Sequence, residues 1–344
     1  MSVLYHRGMS TAEVPLSILD LAMVGRGDSV ADALNASVLL AQAAEERGYR
    51  RILYAEHHNM ASIASAATSV LIAHVAANTN EIVLGSGGIM LPNHSPLAIA
   101  EQFGTLALLH PGRIELGLGR APGSDQATAH ALRRAGNDGS EFPQDVRELQ
   151  AFLAGNSIVP GVEAIPGSGT NVPLLILGSS TFGAQLAAKF GLAYAFASHF
   201  APAHLREAVA IYRERFEPSA SLPEPHVTAA MNVVVAPTEQ EAAELYDLVK
   251  RRRVGSFLSK GYGRDFTDAE IDELISSPQG QQITAMMKHT AVGTPGQVRT
   301  QIEAFKDLAD ADEVIVTHNG NDIETRLRSV HLVADAWSLE RQPA

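Results

Sequence analysis

Eight short apolar runs, each followed by a stretch of helical periodicity, constrain this chain more than any other feature. They lie at 15–21, 52–55, 81–90, within 112–123, and at 172–177, 192–197, 227–236 and 313–317. Runs of this length, bounded by turn residues, read as buried strands. The stretches between them carry helix start and stop signals. Ser29 with Asp32 opens a helix that Gly48 ends, and Thr238-x-x-Glu241 opens one expected to reach about Arg253. Thr294-Pro295-x-Gln297 is a capping box with proline at the first helical position. No linker or shift in composition separates one part from another. The alternation therefore predicts a single (β/α)8 TIM barrel over 1–344. A doubly wound sheet would want a glycine fingerprint in its first βα turn, and none is there. Two irregular stretches, about 124–171 after strand 4 and 255–290 after strand 7, fall where barrel active-site loops belong and are expected to be lid insertions.

Composition narrows the partners. The net charge of −12 argues against nucleic acid or an anionic membrane. The chain has no cysteine, which excludes disulfides, iron–sulfur clusters, thiolate zinc sites and a catalytic thiol. Residues 1–13 lack the apolar core of a signal peptide, and no apolar run is long enough to span a bilayer. A cytoplasmic enzyme acting on a small molecule is the expectation.

Chemistry in such a fold belongs at the carboxyl ends of the strands. The second run ends in Glu56, His57 and His58. A lone histidine there is more often a satisfied structural residue, but three titratable groups together are costly to bury without a role. His57 and His58 are neighbours that diverge on an extended strand, so a shared metal ion is disfavoured. His94 and His199, the latter beside Ser198, sit at other strand or loop ends and are candidates for the cavity lining. Gly85-Ser-Gly-Gly88 lies inside the third strand, marking either a bulge or a backbone shaped to touch a flat ligand. Arg120 ends the fourth strand and offers a planar fork to phosphate, with a surface ion pair as its plainer reading. Ser179 and Ser180 run straight into a helix, where free N–H groups form an anion site or a simple cap. Both come from neighbouring strands, which strengthens a shared phosphate site.

Taken together, Ala55-Glu-His-His58, the run from Gly85 through Ile89-Met-Leu-Pro-Asn-His-Ser-Pro96, Pro111-Gly-Arg-Ile-Glu-Leu-Gly-Leu-Gly-Arg-Ala-Pro-Gly-Ser-Asp125 and Leu177-Gly-Ser-Ser180 closely resemble the bacterial luciferase-like flavin monooxygenase family. The likeness spans nearly the whole barrel. It implies FMN at the C-terminal face, reduced by a separate reductase, reacting with O₂ and a small organic substrate, and a homodimer. By the same resemblance, His57 lies near the reactive flavin edge with Glu56 beside it, as the catalytic pair. Gly87-Gly88 corresponds to a cis peptide beneath the ring, and Arg120, Ser179 and Ser180 to positions around the phosphate. His58 and Ser198 join the cofactor-binding set. Where luciferase carries a cysteine beside the flavin this chain has Gly119, and Ser179 stands for its acidic residue. These departures leave the substrate open and point away from light emission. The rival readings are an F420-dependent hydride-transfer enzyme on the same fold, a non-catalytic flavin binder and a phosphate-binding isomerase or aldolase.

Overall fold

The computed structural model describes residues 14–25, 27–121, 126–132 and 139–339. Its strands are β1 (Leu16–Asp20), β2 (Arg51–Tyr54), β3 (Val83–Met90), β4 (Ile114–Gly119), β5 (Leu174–Gly178), β6 (Ala193–Phe196), β7 (Val227–Val235), β8 (Thr290–Gly293) and β9 (Glu313–His318). Eight of them, all but β8, close a parallel barrel in which β9 pairs with both β7 and β1. Between the strands run α1 (Val30–Glu46), α2 (Thr68–Ala76), α3 (Pro96–Leu109), α4 (Gln126–Ala131), α5 (Phe142–Ala154), α6 (Thr181–Phe190) and α7 (Leu205–Arg215). After β7 come α8 (Glu239–Tyr262), α9 (Asp268–Ser276) and α10 (Pro278–Ala285), then α11 (Pro295–Ala309) and α12 (Ile323–Trp337). The capping boxes read at Ser29 and Thr294 are both present.

The period of two along each strand separates two cores. Ile18, Ile52, Tyr54, Val314 and Val316 face outward under the helices. Leu19, Leu53, Leu175, Ala195, Ala230 and Ile315 fill the barrel interior. Below this apolar layer, toward the amino ends, lies a charged one. Arg51, fully buried, donates from Nε to Glu313 Oε1 at 2.8 Å and from a terminal nitrogen to Oε2 at 3.0 Å. Its other terminal nitrogen meets Glu115, and Thr228 and Ser17 complete the set. The planar guanidinium fork suits two carboxylates from different strands, which an ammonium would not bridge in the same way.

The two irregular stretches differ in how far the structure follows the sequence: the helix that Phe142 opens is present, and the later passage holds more helix than expected. The passage 255–290, read as a polar lid insertion, is mostly helical, because α8 continues past Arg253 to Tyr262. Glycine interrupts the pattern at Gly255, yet a Cβ there would meet Ile271 Cδ1 of α9 at 2.9 Å. The glycine is where two helices touch, and Val254, Leu258 and Ile283 form a small core around the contact. Burial offsets the helical cost of glycine, about 1 kcal/mol. The passage also ends in an unexpected ninth strand, β8, which pairs with the last four residues of β7. In 124–171, α5 buries Phe142, Val146, Leu149 and Phe152 in the outer core, so this part belongs to the barrel's ring of helices. The helix read over 125–134 is seen as α4, and Asp125, Arg133 and Arg134 lie outside the described residues, as does 1–13. Among the described residues no helix is long and apolar enough to cross a membrane.

Replacing Arg51 by methionine takes the counter-charge from buried Glu115 and leaves Glu313 with Arg50 and His226 alone, a loss of about 3–5 kcal/mol on the scale of broken buried pairs. Urea unfolding measures it, and a loss below about 1 kcal/mol would show the layer to be solvated. The pH sense follows from Glu313. Burial pushes its carboxyl up, but the charges of Arg51 and then Arg50 outweigh that and hold it well below 4.5. Its contribution is therefore complete above pH 4.5 and is lost as the pH falls below that value.

Candidate functional site

At the other end of the barrel, β2 leads directly into Glu56, His57 and His58. Glu56 is 1% exposed and accepts four kinds of hydrogen bond. The amide of Met90 donates at 3.0 Å, Asn93 Nδ2 at 3.1 Å, His94 Nε2 at 3.0 Å and His58 Nε2 at 2.8 Å. Burial raises this carboxyl, yet the bond and charge of His94, followed by the bonds of His58 and Asn93, bring it below its ordinary value. Glu56 is thus an ionised anchor. It ties the end of β2 to the β3–α3 connection and orients two imidazoles, a part for which a proton donor would be unsuited. Sequence reading placed it beside His57 as a catalytic pair and did not foresee that Asn93 and His94 converge on it.

The His57 amide donates to Ser65 O at 3.1 Å, and the residue lies within electrostatic reach of His199 at the end of β6. Burial, then the charge of Arg253, then His57 push the His199 imidazole down to about 3, so it is neutral at physiological pH. Ser198 has a different task. It is buried, and its hydroxyl donates to Ala230 O of β7 at 2.6 Å.

Between these groups the wall is bare. The Gly87–Gly88 peptide is cis, and the β3–β4 register shifts between Ser86 and Ile89. A Cβ on Gly88 would meet Leu177 Cδ1 at 2.5 Å and Gly117 O at 2.7 Å, and one on Gly117 would meet Ser86 O at 2.2 Å. The two strands approach too closely for side chains, and the register shift is the bulge that one reading of the glycine run expected.

The strand 4 and strand 5 features also meet. Arg120 is exposed, and its guanidinium carbon sits 4.0 Å from the ring centroid of Phe182, the second residue of α6. Ser180 occupies the N-cap position of α6 in extended geometry, but its side chain makes no capping bond. The first N–H groups of this ten-residue helix therefore have no side-chain acceptor, beside a cation already held at the same turn. Ser179 is half-buried and Ser180 exposed at that corner. An arginine fork over open helix amides, next to a glycine wall, fits a phosphate-bearing planar cofactor.

The sequence pattern of luciferase-like monooxygenases matches residues 14–312. The chain belongs to the luciferase-like monooxygenase family. A luciferase-like monooxygenase of Escherichia coli strain K12 is 44% identical over 330 residues, 95% of this chain and 98% of its own. The crystal structure of apo-MsnO8 superposes with a TM-score of 0.86 at 33% identity, covering 96% of this chain and 99% of that one. More distant barrels share the fold alone, at a TM-score of 0.67. One is the oxygenating constituent of 3,6-diketocamphane monooxygenase in complex with FMN, at 16% identity, covering 93% of this chain and 96% of its own. Another is the coenzyme F420-dependent tetrahydromethanopterin reductase of Methanopyrus kandleri, at 19% identity, covering 94% and 98%. The fold thus serves both cofactors. Membership makes this chain an oxidoreductase of the monooxygenase type.

Glu56→Ala removes the acceptor for a buried amide and three side chains, so a loss of about 1–3 kcal/mol is expected from the unsatisfied donors. Because the Glu56 carboxyl lies below its ordinary 4.5, the difference from wild type should be full above that pH and shrink below it. Thermal melts of both proteins between pH 3 and pH 7 measure this. A difference that is constant across the range would remove the ionised anchor from the account.

Proposed function

We propose that this protein is an FMN-dependent monooxygenase that takes reduced FMN, O₂ and a small organic substrate. The observation that carries the reading is the open start of α6 beneath Arg120. Phosphate oxygens would accept from those amides and from the arginine fork, while Ser179 and Ser180 add hydroxyls at the same corner. The ring would lie along the backbone of Gly87, Gly88 and Gly117, whose Cβ positions are already occupied by Leu19, Leu53, Leu177 and the facing strand. Reduced FMN, when bound, supplies the activation of oxygen. The chain holds and orients the cofactor, excludes water, and manages protons near its reactive edge. His57 is the residue for that last task, since its partner Glu56 is already committed to four donors and His199 is neutral. His58, oriented by Glu56, borders the same mouth. A separate reductase as the source of reduced flavin, and assembly as a homodimer, belong to the same reading.

Two measurements test it. Under anaerobic conditions, Arg120→Ala should weaken FMN by about ten- to a hundredfold and leave riboflavin nearly unchanged, as expected for one lost charge-assisted contact to phosphate. Tight F420 binding with no affinity for either redox state of FMN would instead transfer the protein to hydride-transfer chemistry. His57→Ala should keep flavin affinity but lower oxygenated product by about 10²- to 10⁴-fold, diverting oxygen to hydrogen peroxide. Unchanged product yield per flavin oxidised would reduce His57 to a structural residue.

A further inference from the structure

Among the described residues, the buried and half-buried arginines have partners, with one exception. Arg51 faces Glu115 and Glu313, and Arg326 faces Asp20. Arg113 donates to the carbonyls of Ile82 and Thr79 and to the Thr79 hydroxyl. Arg252 donates to Val24 O and lies near Asp28. Arg253 is half-buried, its Nε is inaccessible and without a hydrogen-bond partner, and its guanidinium forms no ion pair among the described residues. Burial alone depresses its pKa, with no carboxylate opposing. A charge removed from water without a counter-charge is costly.

Its location gives that cost a use. The bond from Arg252 to Val24 O pins α8 to the β1–α1 connection, across the carboxyl ends of the strands. The next residue, Arg253, lies within electrostatic reach of His199, which is also within reach of His57. His199 Nδ1 is likewise buried without a hydrogen-bond partner, though the His199 carbonyl is held by Asn232 Nδ2 at 2.7 Å. Arg253 from α8 and His199 from the end of β6 thus lie near enough to act on each other's charge, with His57 close by.

We propose that Arg253 and His199 receive a planar monoanion, the carboxylate of an organic substrate, and so hold that substrate beside His57. The assignment rests on the reading of the mouth as a flavin site. A guanidinium fork matches the two oxygens of a carboxylate, and a neutral imidazole supplies one further donor. Burial, helped by the Arg253 charge, keeps His199 neutral, and that charge also repels a cationic substrate. The same chemistry has a second source, the deprotonated pyrimidine edge of reduced flavin, so the test must tell the two apart.

The probes are straight-chain carboxylates from acetate to octanoate, each paired with its neutral amide, titrated into the full chain by calorimetry without flavin and again with oxidised FMN. The variants are Arg253→Met and Arg253→Lys. At least one carboxylate should bind wild type more tightly than its amide. That preference should fall about ten- to a hundredfold in Arg253→Met and less in Arg253→Lys, which keeps the charge but loses the fork. Without ligand, Arg253→Met should melt no lower than wild type, since it removes an unmatched buried charge. Anaerobic titration with reduced and oxidised FMN forms the second arm. If Arg253→Met weakens reduced FMN tenfold or more relative to oxidised FMN, and no carboxylate is preferred over its amide, the anion is the flavin edge and the substrate assignment is overturned. If neither carboxylates nor flavin redox states respond to the variant, the site as a whole is overturned. A carboxylate preference that depends on Arg253 in a protein that binds no FMN would keep the anion site and remove the flavin reading on which its placement rests.

Discussion

The barrel closes around Arg51. A parallel barrel of eight strands has an interior that side chains must fill. Here the amino-terminal layer is filled by an arginine and two carboxylates from β2, β4 and β9, with Ser17 donating to Glu313 and Thr228 accepting from Arg51. Each ion alone would be prohibitively costly to bury, so these strands hold one another in a single register. The layer above is apolar, and the chemistry stands above that. At the lower end each charge has an ion-pair partner, though Glu115 Oε1 lacks a hydrogen bond, whereas among the described residues Arg253 at the mouth has no counter-ion and α6 has no side-chain cap. That polarity along the barrel axis separates the stabilising charges from those available to a ligand.

Most of the architecture was legible because it obeys short-range rules. Buried strands of four to nine residues are continuous apolar runs, and the caps at Ser29, Thr238 and Thr294 follow local spacing. What escaped depended on distant contacts. β8, Thr-Ala-Val-Gly, lacks the apolar run of the equally short β2 and β6 and is a strand only because the end of β7 offers it a ladder. The continuation of α8 through Gly255 depends on Ile271, sixteen positions further on and in another helix.

The site divides in the same way. Strand-end motifs pointed to Glu56, His57, Arg120 and the Ser179–Ser180 turn, and the structure brings the last two features together at α6. It also adds partners that sequence had not given Glu56, which accepts hydrogen bonds from His58 and His94, while His57 lies within electrostatic reach of His199. Arg253 was hidden in the run Arg251-Arg-Arg253, where a helix places successive side chains about 100° apart and only tertiary structure reveals which one faces inward. Ser198 misled for a related reason. A hydroxyl at a strand end looks available until the neighbouring strand's carbonyl is seen to accept from it.

That bond to Ala230 belongs to a local break in the barrel wall. β7 pairs with β6 only as far as Ala229, and from Asn232 onward its free edge is taken up by β8. Between the two, Ser198 Oγ to Ala230 O and Asn232 Nδ2 to His199 O replace the ladder. The wall there is a seam laced by side chains rather than woven from backbone. Its gape is set by residue identity, one stitch at a time, and a substitution at Ser198 or Asn232 resizes the aperture beside His199 without unravelling a strand.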